Sequence, residues 1–151
     1  MKISGNAPEW ATELFVTVCK DYNRGLPSTF KWANCNRKCS SGVTRPSWYT
    51  YMRRTKGGKL VKTRHYGEVS VRAGSDEQDA KLVLLHELAH HIVGRTISGR
   101  RQGHSMKFWR LAFELYERYG VDMEYAFGRE KGYKAKATVA YEQHIAKAEA
   151  V

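Results

Sequence analysis

The stretch Leu82-Val83-Leu84-Leu85-His86-Glu87-Leu88-Ala89-His90-His91 contains neither Gly nor Pro and is apolar at most positions. An apolar run of this kind reads as a helix buried on most of its sides, here over about residues 77–93. Within it stands H-E-x-x-H. On a helix, residues four apart lie on one face about one turn apart, so His86 and His90 would present two imidazoles side by side. Neutral imidazole is a good zinc ligand, and two at this spacing supply half of a tetrahedral shell. Glu87 is displaced around the helix, where it would miss ligation yet reach a water on the metal, the place a general base must occupy.

A catalytic zinc usually takes three protein ligands and a water. The remaining histidines are His65, His91, His104 and His144. His91 points about 100° away from His90 around the helix and reads as a surface or supporting residue. His65 lies in a basic strand or turn, and His144 among the polar residues of the tail. His104 is the preferred third ligand: it opens the next helix after a loop long enough to reverse the chain. Phe108 and Leu111 would anchor that helix on the core. Glu114 and Glu117 on the same helix are the runner-up ligands, with Glu114 alternatively a carboxylate that orients an imidazole. The pattern H-E-x-x-H-x-x-G-x-x-H is absent, because Val93 and Thr96 stand where Gly and His would be required.

Around this helix the chain reads as one domain over residues 1–151, long enough for a core of its own. Residues 8–24 form an amphipathic helix, with Trp10, Leu14, Val18 and Tyr22 recurring every four residues. Thr29–Ala33, Trp48–Met52 and Gly67–Ala73 read as strands, the last with Val69 and Val71 facing inward. Residues 35–42 read as a polar turn, and Lys56–Lys59 as the turn of a hairpin. Ser75 or Asp76 would cap the metal helix, and Gly94 would end it. Residues 95–103 read as a basic mobile loop, His104–Tyr119 as a helix, residues 121–128 as irregular, and 129–151 as a loosely packed helical tail.

The formal charge of +11 and the pI of about 9.7 favour acidic partners, nucleic acid first. Arg53, Arg54, Lys56, Lys59, Lys62 and Arg64 fall within twelve residues that hold no acidic one, flanked by Trp48, Tyr49, Tyr51 and Tyr66. Basic residues beside aromatics suit phosphate contacts and base stacking. Arg95, Arg100, Arg101 and Lys107 would extend this patch. Three cysteines are too few for a disulfide framework. Cys35 and Cys39 read as ordinary thiols, with half a second metal site as the alternative. No stretch reads as a signal peptide or a membrane span, so the expected location is the cytoplasm.

His86-Glu87-Leu88-Ala89-His90, followed fourteen residues on by His104-Ser105-Met106-Lys107-Phe108-Trp109, resembles the SprT-like zinc metallopeptidases. It is also similar to small metallopeptidases predicted in bacteriophages and actinobacteria, for which the location would be the host cytoplasm. The resemblance covers roughly residues 66–125. It implies a minimal zincin-like domain of the gluzincin-related type; the elements read from the residues themselves make the expected fold α+β, with an N-terminal helix and a small, mostly antiparallel three-stranded sheet. It also implies zinc on His86, His90 and His104, and Glu87 as the catalytic residue. Such a chain would cleave peptide bonds in protein or peptide substrates, DNA-associated proteins among them. Two other classes stay open: a non-catalytic module that binds nucleic acid or protein around a structural zinc, and a zinc hydrolase acting on another bond. For the oxyanion donor of a peptidase, Tyr116, Tyr125 and Tyr133 are candidates. Strand Gly67–Ala73 is the expected edge for an extended peptide.

Overall fold

The computed structural model describes residues 1–45, 49–65, 67–94, 103–133 and 135–150, and for residues 49–53, 62–65 and 133 the backbone alone. The described chain is mixed α and β. Its strands are β1 (Lys2–Gly5), β2 (Thr29–Asn34), β3 (Ser41–Arg45), β4 (Tyr49–Arg54), β5 (Leu60–His65) and β6 (Glu68–Ala73). Its helices are α1 (Glu9–Asp21), α2 (Glu77–Val93), α3 (Met106–Arg118), α4 (Met123–Glu130) and α5 (Ala135–Glu149), with a short 3-10 turn over Lys131–Tyr133.

The expected three-stranded, mostly antiparallel sheet is corrected. Four strands pair in the order β1-β2-β6-β3, and β4 with β5 forms a separate two-stranded sheet. β1 with β2 and β2 with β6 run parallel; only β3 with β6 is antiparallel. Parallel neighbours need long connections, and here α1 joins β1 to β2 while the chain from residue 35 to 67 separates β2 from β6. β6 is therefore an inner strand, flanked by β2 and β3. Its Val69 and Val71 are buried, as their alternation implies.

Helix α2 is the centre of the molecule and packs against β3, β6, α1 and α3. Leu82 to Ala89 are buried without a break. Its start is capped by Asp76, whose Oδ1 accepts the N–H groups of Gln78 at 2.9 Å and Asp79 at 3.3 Å. Gly94 ends it at φ 66°, a conformation that suits glycine. Helix α3 begins two residues after His104, and the Ser105 hydroxyl caps it by accepting the Phe108 N–H at 3.2 Å. Phe108, Trp109, Ala112, Phe113, Leu115 and Tyr116 then form its buried face.

Two further expectations change. Residues 123–130 are helical rather than irregular, because Asp122 caps α4 through the Tyr125 N–H at 2.9 Å. The tail is not loose: α5 packs along α3 with Ala137 and Ala140 buried, and Tyr141 meets the rings of Phe113 and Phe127. No helix among the described residues is long and apolar enough to cross a membrane.

Candidate metal centre

Two histidines one turn apart on α2 and a third from the loop before α3 meet at one point. The Nε2 atoms of His86 and His104 are 3.2 Å apart, and those of His90 and His104 3.3 Å apart. A tetrahedral ion with metal–nitrogen bonds of about 2.0–2.1 Å requires its ligand nitrogens to be about 3.3–3.4 Å from one another. The observed separations fit such a shell. His86, His90 and His104 lie close enough together to hold a metal ion. Among the described residues they are the only group of three or more His, Cys, Asp or Glu arranged in this way.

The rings are held from behind by aromatic packing. His90 stacks on Phe108 with centroids 4.0 Å apart, and His104 lies nearly parallel to Trp109 at 5.4 Å. Burial and the neighbouring His86 hold His104 below the usual histidine pKa, which keeps it neutral and able to ligate at pH 7. On the far side of His86, Nδ1 lies 3.3 Å from the Tyr116 hydroxyl and 3.4 Å from Glu130 Oε1. Tyr116 in turn donates to the same Glu130 oxygen at 3.4 Å. A carboxylate at Nδ1 keeps the proton there and leaves the Nε2 lone pair directed at the centre.

Glu87 is 5% exposed, and the elements around it explain how it stays in place. The Thr44 hydroxyl, from β3, donates to Glu87 Oε2 at 2.6 Å and also lies 2.9 Å from the Glu87 carbonyl. Gly42, on the same strand, provides the room: a Cβ there would stand 2.5 Å from Glu87 Cγ. Burial pushes the Glu87 carboxyl above the ordinary carboxylate range, with His86 and the Thr44 hydrogen bond pulling the other way and Glu130 adding to the rise. A cavity of about 180 Å³ opens beside it, lined by Ser41, Gly42, Val83, His86, Glu87 and Glu130 among others.

The start of β3 is itself fastened. Ser40 donates its N–H to Asp79 Oδ2 at 2.5 Å, and its carbonyl accepts from Arg129 Nη2 at 2.7 Å. Arg129 Nε and the Tyr125 hydroxyl both donate to Asp79 Oδ1 at 2.8 Å. Burial pushes Asp79 up, but Ser40, Arg129 and Tyr125 together bring it below the ordinary carboxylate range. The two peptide units flanking Ser40 are thus held, one by α2 and the other by α4, just before the strand that carries Thr44.

The structure therefore brings His86, His90, His104 and Glu87 together and leaves the other candidates elsewhere. Glu114 is exposed on the outer face of α3, and Glu117 is hydrogen-bonded to His144. His91 is buried rather than superficial, with Nε2 2.7 Å from the Gly25 carbonyl, tying α2 to the loop after α1. Tyr116 sits at the Nδ1 side of His86 and Tyr125 on Asp79, so both hydroxyls face away from the converging nitrogens; the Tyr133 side chain lies outside the described residues. Cys19 is in the core, where burial raises its thiol to about 11; Cys35 and Cys39 belong to no such cluster among the described residues. Trp48, Tyr66, Arg95, Arg100 and Arg101 lie outside the described residues, as do the side chains of Tyr49, Tyr51, Arg53, Lys62, Arg64 and His65.

Sequence reasoning missed Gly42, Thr44, Asp79, Arg129 and Glu130. The β-branched pair Val43-Thr44 was the one available sign of a strand, and Asp122 the sign of the helix that carries Glu130. Comparison with protein-family models, with curated proteins and with solved structures finds no match to this chain.

Proposed function

We propose that the protein is a zinc-dependent peptidase in which His86, His90 and His104 hold the metal and Glu87 is the general base. The observation that carries this reading is the pairing of three convergent imidazole nitrogens with a buried carboxylate on the adjacent residue of the same helix. A metal held for structure alone has no use for a carboxylate that costs free energy to bury. Zinc suits three imidazoles in a tetrahedral array, and when bound it polarises a water molecule and lowers its pKa toward neutrality.

The chain's own residues then handle protons and position. Thr44 occupies Glu87 Oε2, leaving Oε1 to take a proton from the attacking water and return it to the leaving amine. Glu130 and Tyr116 hold His86 in the tautomer that directs Nε2 at the metal. The sheet edge beside Glu87 is β3, in place of the inner strand β6. An extended peptide would pair with β3 through its backbone.

The test is a peptide-library cleavage assay with three proteins. Glu87→Gln should keep one zinc and lose activity by on the order of 10²–10⁴-fold. His104→Ala should lose zinc, whereas Glu114→Ala should keep both zinc and activity. Wild-type cleavage by zinc-loaded Glu87→Gln would overturn the mechanism, and unchanged zinc affinity in His104→Ala would overturn the ligand set.

A further inference from the structure

The net charge of this chain lies in one segment. Residues 22–67 hold eleven of the 26 Lys and Arg and none of the 15 Asp and Glu. The whole formal excess of +11 therefore lies there, and the remainder of the chain is balanced. Six of the eleven belong to the β4–β5 hairpin: Arg53 and Arg54 on β4, Lys62 and Arg64 on β5, Lys56 and Lys59 in the connecting turn.

The hairpin is also a sheet of its own. Its two strands pair with each other from Tyr49↔His65 to Arg54↔Leu60 and, among the described residues, with no strand of the four-stranded sheet. The turn is tight, with Thr55 N–H bonded to the Lys59 carbonyl, Gly58 N–H to the Thr55 carbonyl, and Gly58 at φ 78°. Arg54, Lys56, Gly57, Gly58 and Lys59 are all exposed.

We infer that the β4–β5 hairpin is an arm that binds double-stranded DNA through its phosphates. A two-stranded ribbon is an element that the DNA major groove, about 12 Å wide, admits. Charge of one sign over the whole segment suits a polymer that is itself uniformly charged. A specific protein partner would instead call for interspersed charges that fix register and reject competitors. A membrane-docking tip would carry large apolar residues, whereas this one is Lys56-Gly57-Gly58-Lys59. The inference is independent of the metal and of cleavage, since it rests on charge and on the two-stranded form of the hairpin.

The experiment measures binding of the full chain to a fluorescein-labelled DNA duplex of about 20 base pairs by anisotropy, over a range of salt. Contacts from the six cations predict a slope of log K against log salt of about −5, and on the order of 10³-fold weaker binding at 200 mM than at 50 mM salt. The triple variant Arg54→Gln, Lys56→Gln, Lys59→Gln should make the slope shallower by about 3. The triple variant Lys131→Gln, Lys136→Gln, Lys147→Gln removes as much charge from exposed positions elsewhere and should leave affinity within about twofold. Glu87→Gln should bind as the wild type does, so a failure to bind DNA leaves the peptidase reading untouched. Equal losses in the two triple variants, a slope shallower than about −1, or tighter binding to phosphatidylserine-containing vesicles than to the duplex would each overturn the assignment.

Discussion

Gly42→Ala is the sharpest probe of how Glu87 is positioned. The added methyl would stand 2.5 Å from Glu87 Cγ and 2.9 Å from both Cδ and Oε1. Non-bonded carbons sit comfortably at about 3.5–4.0 Å, so the carboxylate must retreat by about 1 Å. Gly42 is not among the residues at positive φ, so alanine itself is compatible with the backbone there. The side chain yields instead, and its movement disrupts the 2.6 Å hydrogen bond from Thr44. A displacement of about 1 Å in a catalytic group costs on the order of 10²-fold in rate, or about 2.7 kcal/mol of barrier. The assay is kcat and KM on a cleaved peptide, with zinc content and thermal midpoint measured on the same sample. We expect kcat to fall about 100-fold with zinc retained. Gly57→Ala, whose Cβ would meet nothing nearer than 3.9 Å, should change none of these quantities. A Gly42→Ala protein with full zinc and wild-type kcat would refute the argument that β3 sets the working position of Glu87.

Two other outcomes follow from groups behind the site. Glu130→Gln removes the negative charge at His86 Nδ1 and should weaken zinc binding by about 10-fold or more in a competition titration with a chelator; unchanged affinity would remove Glu130 from the centre. Asp79 lies below the ordinary carboxylate range in the folded protein, so the stability it contributes is complete above its unfolded value of about 3.9 and is lost as pH falls through the folded value. Asp79→Asn removes the charge of a buried carboxylate paired with the half-buried Arg129 and should cost about 1–3 kcal/mol in urea unfolding at pH 7. The difference from wild type should shrink below about pH 4, and a gap that stays constant with pH would contradict this account.

What was legible in the sequence was local. The run Leu82–Ala89, the capping Asp76 and the terminal Gly94 define α2 without any partner, because each acts on its own turn of helix. His104 was reachable because chain reversal limits where the next helix can begin. Sheet order was not legible: β2 and β6 are neighbours across more than thirty intervening residues, and strand alternation says which face is buried but not which strand is adjacent. Only the first two residues of β3 fall in the stretch that reads as a polar turn, and the strand is hard to see because an edge strand buries only alternate residues and Ser41-Gly42-Val43-Thr44-Arg45 has little apolar surface. Glu130 carried no local sign of its role. It reaches His86 because α4 is docked through Arg129 on Asp79, a contact between residues fifty apart.

The packing around the histidines has an optical consequence. Trp109 is fully buried, lies almost parallel to the His104 ring, and meets the His86 ring edge-on at 5.8 Å. The candidate centre therefore contains its own fluorophore. An ion settling among the three nitrogens would alter the indole's surroundings at one ring's distance, so loading could be followed by emission without a label. A paramagnetic ion such as cobalt would quench that light, and Trp109→Phe would tell its signal from those of the three other tryptophans.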